Sequence, residues 1–171
     1  MGRVRPCPRP AEGLLRRYAE DWTGPGQPYT DCFCLTVDAA VGLDEYVLAF
    51  YTTPLFKLER LILAVMVKRP STDQQARELA AGARHEFAAW TVEARSEHQL
   101  LMCDFQRRTR SWFMVVREGE GSMLYFGSAV VPKPDSEGEL GRSFTLLLGF
   151  HKLYSRLLLG AAGRRLRRGV R

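Results

Sequence analysis

The sequence lacks the motifs that mark familiar enzyme classes. It contains no glycine-rich phosphate-binding loop, no G-x-S-x-G segment, no H-E-x-x-H segment and no dinucleotide-binding fingerprint. Its three histidines, His85, His98 and His151, are scattered one to a segment. We therefore expect neither a nucleotide-dependent enzyme nor a hydrolase with a nucleophile elbow.

Long apolar runs are also missing. The longest apolar stretches, 61–67 and 146–159, end or are interrupted well short of the roughly 20 residues that cross a bilayer. Residues 1–10 are basic and proline-rich, with no apolar segment behind them, which is not typical of a secretory signal. We expect a cytoplasmic protein whose four cysteines are reduced.

Acidic residues are absent from the last 29 positions. Residues 143–171 hold seven basic residues, which leaves 18 basic against 19 acidic residues in 1–142. The net charge of +6 therefore belongs to the end of the chain. A run of arginines at a terminus is typical of a solvated end, and the alternative is weak contact with an anionic membrane surface.

A length of 171 residues and a 46% hydrophobic composition indicate one globular domain. We predict an irregular lead-in over 1–28, with a short helix between Glu12 and Trp22. A single domain over 29–160 follows, and a basic tail over 161–171 ends the chain. Gly160 and Gly163 favour a helix end before the tail.

Alternation of apolar and polar residues predicts a strand over 29–37. Asp44 is a candidate cap for a helix through Tyr51, and the Thr53-Pro54 pair is typical of a second helix start. A capping box over 71–74 indicates a third helix to about Ala83.

The second half of the chain reads as an antiparallel meander followed by a long helix. Strand-like segments cover 87–95, 99–104, 109–117 and 123–131, joined by short turns. The final helix, from Ser143 to about Leu159, is predicted to bury one apolar stripe against the sheet. The stripe contains Leu146, Phe150, Leu153 and Leu157. The fold class is α+β, with a curved antiparallel sheet packed on a long C-terminal helix and a helix pair after the first strand.

The element order resembles the helix-grip arrangement of the START and polyketide cyclase/dehydrase (SRPBCC) superfamily over about 29–160. Residues 56–60, the strand around Trp112, Leu140-Gly-Arg and the Phe150-His151 pair are similar to uncharacterised bacterial families of that type. The resemblance implies a cavity between the sheet and the last helix, and no dependable activity.

Six residues are candidates for contacting a ligand in such a cavity. His151 and Tyr154 lie one turn apart on the final helix, and Glu59 is a charge on an otherwise apolar helix. The candidates are His151, Tyr154, Glu59, Arg110, Trp112 and Trp90.

Structural alternatives exist for these candidates. A helix histidine often satisfies a buried carbonyl, and Glu59 could form a structural salt bridge with a strand arginine. The segment 104–112 is either a cationic pocket wall or, as we favour, a solvated hairpin with an edge tryptophan.

Cys32 and Cys34 place two thiols on one face of the first strand, within reach of a soft metal. No further ligands accompany them in the sequence, so we read them as small core residues and predict no metal and no cofactor.

Three functions remain open at this point. We expect a protein that binds a small apolar or amphipathic ligand between the sheet and the last helix. The first alternative is a cyclase- or dehydratase-like enzyme that uses His151, Tyr154 and a strand carboxylate in the same cavity. The second is an interaction module that docks through its basic tail. No basic–aromatic platform supports nucleic-acid binding, and the sequence does not determine the oligomeric state.

Overall fold

A computed structural model describes residues 2–66, 68–132 and 142–169, without the side chains of 66, 142–151 and 169. Twelve elements follow one another along the chain. They are β1 (Arg5–Pro6), a 3-10 helix (Leu14–Tyr18), β2 (Tyr29–Val37), α1 (Leu43–Tyr51), α2 (Pro54–Met66), α3 (Asp73–Ala80), β3 (Glu86–Phe87), β4 (Trp90–Arg95), β5 (Gln99–Asp104), β6 (Thr109–Glu118), β7 (Gly121–Val130) and α4 (Arg142–Gly169).

The strands form one antiparallel sheet in the order β1-β2-β7-β6-β5-β4-β3. The predicted α+β class is confirmed, with a curved sheet, a helix pair after the first long strand and a C-terminal helix. Strands β3 to β7 form an antiparallel meander as predicted, but a turn at 88–89 divides the single strand predicted over 87–95 into β3 and β4. Strand β2 pairs with β7, with Tyr29 opposite Val130. The short strand β1 was not predicted, because two residues are too few to show an alternation.

Two helix starts differ by one or two residues from the prediction. Gly42 caps α1 in place of Asp44, and the Glu45 side chain accepts a hydrogen bond from the Gly42 backbone N–H at 2.9 Å. The capping box of α3 consists of Thr72 and Gln75, which bond each other's backbone N–H groups. The capping box of α3 was predicted correctly as a motif, but its predicted position, 71–74, was one residue too early.

Aromatic rings fill the space between α1 and the sheet. Phe50 of α1 lies 4.8 Å from the Phe113 ring of β6 and 4.9 Å from the Phe126 ring of β7, measured between ring centroids. The buried aromatic residues of the cluster are Phe33, Tyr46, Phe50, Tyr51, Phe56, Phe87, Phe113 and Phe126. Rings at these separations contribute dispersion and quadrupole interactions beyond their buried area, and they leave the concave face of the sheet occupied.

Helix α4 lies beside α1 and β2, and its buried side is not the predicted stripe. Leu158, Leu159 and Ala162 are buried, whereas Leu153 and Leu157 are about half exposed. Leu146 and Phe150, the other members of the predicted stripe, lie outside the described side chains. The sequence shows leucines around most of the helix, so its periodicity alone did not determine which side meets the sheet.

The helix also continues through both glycines to Gly169, so the predicted end near Gly160 is wrong. At Gly163 the helix approaches β2 closely, since a Cβ atom there would lie 2.3 Å from Cδ2 of Leu35. Glycine serves a close contact here rather than a helix end.

The N-terminal segment covers the opposite face of the sheet. Leu15 of the 3-10 helix is fully buried against Trp112, which is itself fully buried. The Gln99 side chain accepts hydrogen bonds from Leu14 N (2.8 Å) and Trp112 Nε1 (2.9 Å), and donates to the carbonyl of Glu12 (3.1 Å). The sheet is therefore covered on both faces, and Trp112 is a buried residue of the central strand β6, not the edge tryptophan that we favoured.

Candidate functional site

The structure brings Glu59 and Tyr154 together where α2 meets α4. Helix α2 starts at the predicted cap, where Thr53 Oγ1 accepts a hydrogen bond from Phe56 N at 3.2 Å. Glu59 then lies one turn beyond Leu55, on the side that faces α4, and the Tyr154 hydroxyl donates to Glu59 Oε2. The partner of Glu59 is this tyrosine, not the strand arginine of the structural alternative.

The surroundings of Glu59 favour its neutral form. Burial raises the pKa of the Glu59 carboxyl above its usual 4.5, and the hydrogen bond from Tyr154 opposes that shift in part. The pKa of Tyr154 is raised by burial and by the nearby Glu59 charge. Both protons of the pair are therefore held more tightly than in water.

Two further polar atoms are shielded on the same side of α2. The Tyr51 hydroxyl and the Trp90 indole N–H are buried and have no hydrogen-bond partner among the described residues. The Trp90 ring lies 5.9 Å from that of Phe56, and burial followed by the Glu59 charge raises the pKa of Tyr51. Trp90 thus lies in the same region as Glu59 and Tyr154.

The Glu59 carboxyl makes stability depend on pH in a defined direction. Above its usual pKa, the unfolded chain releases a proton that the folded protein still holds, so stability falls as pH rises through the raised pKa. Glu59→Gln does not titrate and still accepts a hydrogen bond from Tyr154. Urea unfolding at pH 4 and at pH 7 measures the free energy of unfolding of the variant minus that of the natural protein. This difference is expected to be more favourable to the variant at pH 7 than at pH 4.

Glu120→Gln serves as the control, since Glu120 is exposed in a turn. Its effect on the free energy of unfolding is expected to be the same at both pH values. An equally pH-independent effect of Glu59→Gln would contradict the assignment of a raised pKa to Glu59.

Arg110 and Trp112 lie on the other face of the sheet, away from Glu59. Arg110 Nε donates to Glu93 Oε2 at 3.0 Å, and the guanidinium lies 4.5 Å above the Tyr18 ring. The Tyr18 hydroxyl donates to Glu93 at 2.6 Å, and burial raises the pKa of Tyr18 to about 12. The segment 104–112 forms the β5–β6 hairpin, and its turn at 105–107 is exposed as the favoured interpretation expects. Arg110 and Trp112 are buried beneath the N-terminal segment, so the strand part of the hairpin is not solvated and does not form an open cationic wall.

The strand carboxylates are engaged elsewhere. Asp104 Oδ1 accepts hydrogen bonds from the backbone N–H groups of Arg108 (2.7 Å) and Thr109 (3.1 Å), which holds the turn between β5 and β6. Glu93 lies on the far face with Arg110. The acid beside Tyr154 is thus Glu59, a helix residue, and the side chain of His151 lies outside the described residues.

A groove lies between α4 and the α1–α2 pair. Its volume is about 760 Å³, within the usual range for small-molecule sites, and no strand residue lines it. The walls consist of Ala40, Val41, Glu45, Leu48, Ala49, Thr53, Pro54, Leu55, Leu157, Ala161, Arg164, Arg165, Leu166 and Arg168. Leu55 and Leu157 are each one turn from the Glu59–Tyr154 pair, so the pair lies next to one end of the groove.

The opposite end of the groove is strongly basic. Arg164, Arg165 and Arg168 reach it from α4, and none of them has a carboxylate within ion-pair distance in the described part of the chain. Glu45 is the single acid in the walls, and its side chain bonds the start of α1. The groove therefore combines apolar walls with an excess of positive charge, three arginines against one glutamate.

Arg164, Arg165 and Arg168 were not among the predicted site residues, because they were assigned to a solvated basic tail over 161–171. One signal could have identified them. Leu157, Ala161, Arg164 and Arg168 recur at spacings of three or four residues, which is the period of one helix face.

Three cysteines lie close together beside β1. Cys7 Sγ is 3.5 Å from Cys32 Sγ, and Cys34 lies on the same face of β2 as Cys32. The pKa of Cys7 is raised by its hydrogen bond to Cys32 and by burial, and burial raises that of Cys34 to about 11. The thiols of Cys7 and Cys34 therefore hold their protons more tightly than a free cysteine does. Among the described residues no group of three or more histidine, cysteine or acidic side chains could hold a metal ion.

None of the helices in the described part of the chain combines the length and the apolar character needed to cross a membrane.

Comparisons with known proteins find similarity among solved structures. No protein-family model matches the chain, and a comparison with curated proteins finds no match. The chain is similar to the solution NMR structure of CalU16 from Micromonospora echinospora, with 12% sequence identity and a TM-score of 0.42, over 96% of this chain and 74% of that one. At this TM-score the similarity carries no argument about the site. Membership of the helix-grip superfamily stays a prediction.

Proposed function

We propose that the protein binds a small amphipathic anion in the groove between α4 and the α1–α2 pair. The observation that supports this is an apolar wall next to the guanidinium groups of Arg164, Arg165 and Arg168, which form no ion pair with the described residues. The apolar part of the ligand would lie against Leu55, Leu157 and Ala161. The carboxylate or phosphate head of the ligand would lie at the arginines, because a guanidinium group can donate two parallel hydrogen bonds to such a group.

The dimensions of the groove limit the ligand. From Leu157 to Arg168, α4 rises about 16 Å, which suits a medium-length acyl chain with an anionic head. The ligand site differs from the one predicted from sequence, since it lies between helices and not between the sheet and α4. The predicted ligand was small and either apolar or amphipathic, and this proposal retains the amphipathic alternative.

Titration calorimetry with decanoate tests the proposal. Decanoate is expected to bind, whereas decyltrimethylammonium, with the same chain and the opposite charge, is not. Ala161→Phe fills the apolar wall and Arg164→Glu reverses one charge, so each is expected to weaken decanoate binding roughly ten-fold or more, the equivalent of about 1.4 kcal/mol.

Arg156→Glu is the matched control, because Arg156 is an exposed arginine of the same helix that does not line the groove. It changes the net charge as Arg164→Glu does and is expected to leave decanoate affinity within two-fold of the natural protein. Equal losses in both charge variants, or none in Ala161→Phe, would contradict binding in the groove.

A further inference from the structure

The exposed apolar side chains of the described residues are concentrated on α2 and α4. Seven large hydrophobic residues are exposed, and the one outside these helices is Phe105. The other six are Leu58, Leu61, Ile62, Val65, Leu153 and Leu157, and we refer to them together as the α2–α4 apolar surface. The two helices meet at the Glu59–Tyr154 bond, so the six residues belong to one region of the molecule.

The α2 part of this surface is a single stripe. Leu58, Leu61, Ile62 and Val65 follow the i, i+3, i+4, i+7 spacing of one helix face, and Val65 is 73% exposed. The helix already buries Phe56 and Arg60 on its other side. An apolar stripe that faces water while the opposite side is packed indicates a surface for a partner.

Basic residues border this surface at both ends. Lys68 and Arg69 are exposed directly after α2. On α4, Arg164 and Arg168 continue the face that carries Leu153 and Leu157. The α2 sequence contains one acid, Glu59, which is bonded to Tyr154, and the α4 sequence contains none. An apolar centre with a cationic border and no opposing acid is complementary to an anionic lipid surface.

We infer that the α2–α4 apolar surface docks on an anionic lipid bilayer. The leucines, isoleucine and valine enter the boundary between headgroups and acyl chains, and the lysine and arginines contact lipid phosphates. Helix α2 would lie along the membrane and would not cross it, since it has 13 residues. Leu157, Arg164 and Arg168 belong both to this surface or its border and to the groove walls, but the four α2 residues do not line the groove, so the inference does not require a ligand there.

Vesicle co-sedimentation of the full chain tests the inference. The protein is expected to bind vesicles of phosphatidylcholine with phosphatidylglycerol and to bind vesicles of phosphatidylcholine alone at least about ten-fold more weakly, with added salt reducing the difference. The double variant Leu61→Glu, Val65→Glu is expected to lose roughly ten-fold or more of the binding to the anionic vesicles, because two charges replace two inserted side chains. Both positions are exposed, so the variant should fold, and circular dichroism and thermal unfolding check this.

The double variant Gln27→Glu, Gln106→Glu is the matched control, since it makes the same charge change at exposed positions outside the surface. It is expected to bind vesicles like the natural protein. Equal losses in both double variants would overturn the inference. A concentration-dependent dimer that Leu61→Glu, Val65→Glu dissociates, without vesicle binding by the natural protein, would also overturn it and assign the surface to a second copy of the chain.

The two proposals fail separately. Leu61→Glu, Val65→Glu is expected to retain decanoate binding, and Ala161→Phe is expected to retain vesicle binding. If the natural protein binds the anionic vesicles but not decanoate, the groove is contradicted and the docking surface is not. If it binds decanoate but not the vesicles, the docking surface is contradicted and the groove is not.

Discussion

Phe50→Ala is expected to lower the free energy of unfolding by about 3–5 kcal/mol. Phe50 is almost fully buried, and its ring lies in contact with those of Phe113 and Phe126 in the sheet and of Tyr51 beside it. Truncation removes the favourable transfer free energy of the buried ring. It also leaves a cavity, because the closely packed neighbouring side chains cannot move far enough to fill it.

Urea unfolding of Phe50→Ala and of Phe105→Ala measures this effect. Phe105 is 44% exposed, so the same truncation there is expected to cost less than about 1 kcal/mol. A comparably small cost at Phe50 would show that the concave face of the sheet is loosely filled and has room for a ligand. That outcome would restore the cavity predicted from the sequence.

Gln99→Leu is expected to lower the free energy of unfolding by about 3 kcal/mol. The amide of Gln99 bonds the Trp112 indole N–H and the backbone of Glu12 and Leu14. Leucine has a similar volume but no polar atom, so the buried indole N–H of Trp112 and the partly buried N–H of Leu14 and carbonyl of Glu12 lose their partner. The loss falls on the contact between the N-terminal segment and the sheet.

Two measurements follow this change. Denaturant unfolding gives its cost, and limited proteolysis of residues 1–28 shows whether the segment detaches before the domain unfolds. Gln106→Leu, at an exposed turn, is expected to change neither. Cleavage of 1–28 in Gln99→Leu at the rate of the natural protein would contradict the role of Gln99 in holding the segment.

The sequence by itself determined the local elements. Alternation identified the strands of the meander, because a half-buried strand must change faces at each residue. The Thr53-Pro54 pair identified the start of α2, because its hydroxyl and fixed φ satisfy a helix end locally. These signals involve residues within a few positions of one another, and the α+β class follows from their order.

Only the tertiary structure decided which side chains share a site. Glu59 and Tyr154 lie 95 positions apart and bond each other, whereas Arg110 and Trp112, which were predicted to join them, lie across the sheet. The alternation of a strand shows that two faces exist, but it does not show which face meets the helices and which meets the N-terminal segment.

The orientation of α4 was likewise determined by tertiary packing. Leucines surround much of this helix, so several sides could have been buried, and the close approach of Gly163 to Leu35 selects the one that packs on β2. That choice turns Leu153 and Leu157 outward and brings Arg164 and Arg168 to a groove. The periodicity of the sequence shows how much of a helix surface is apolar. The packing of neighbouring elements determines which part of that surface is buried.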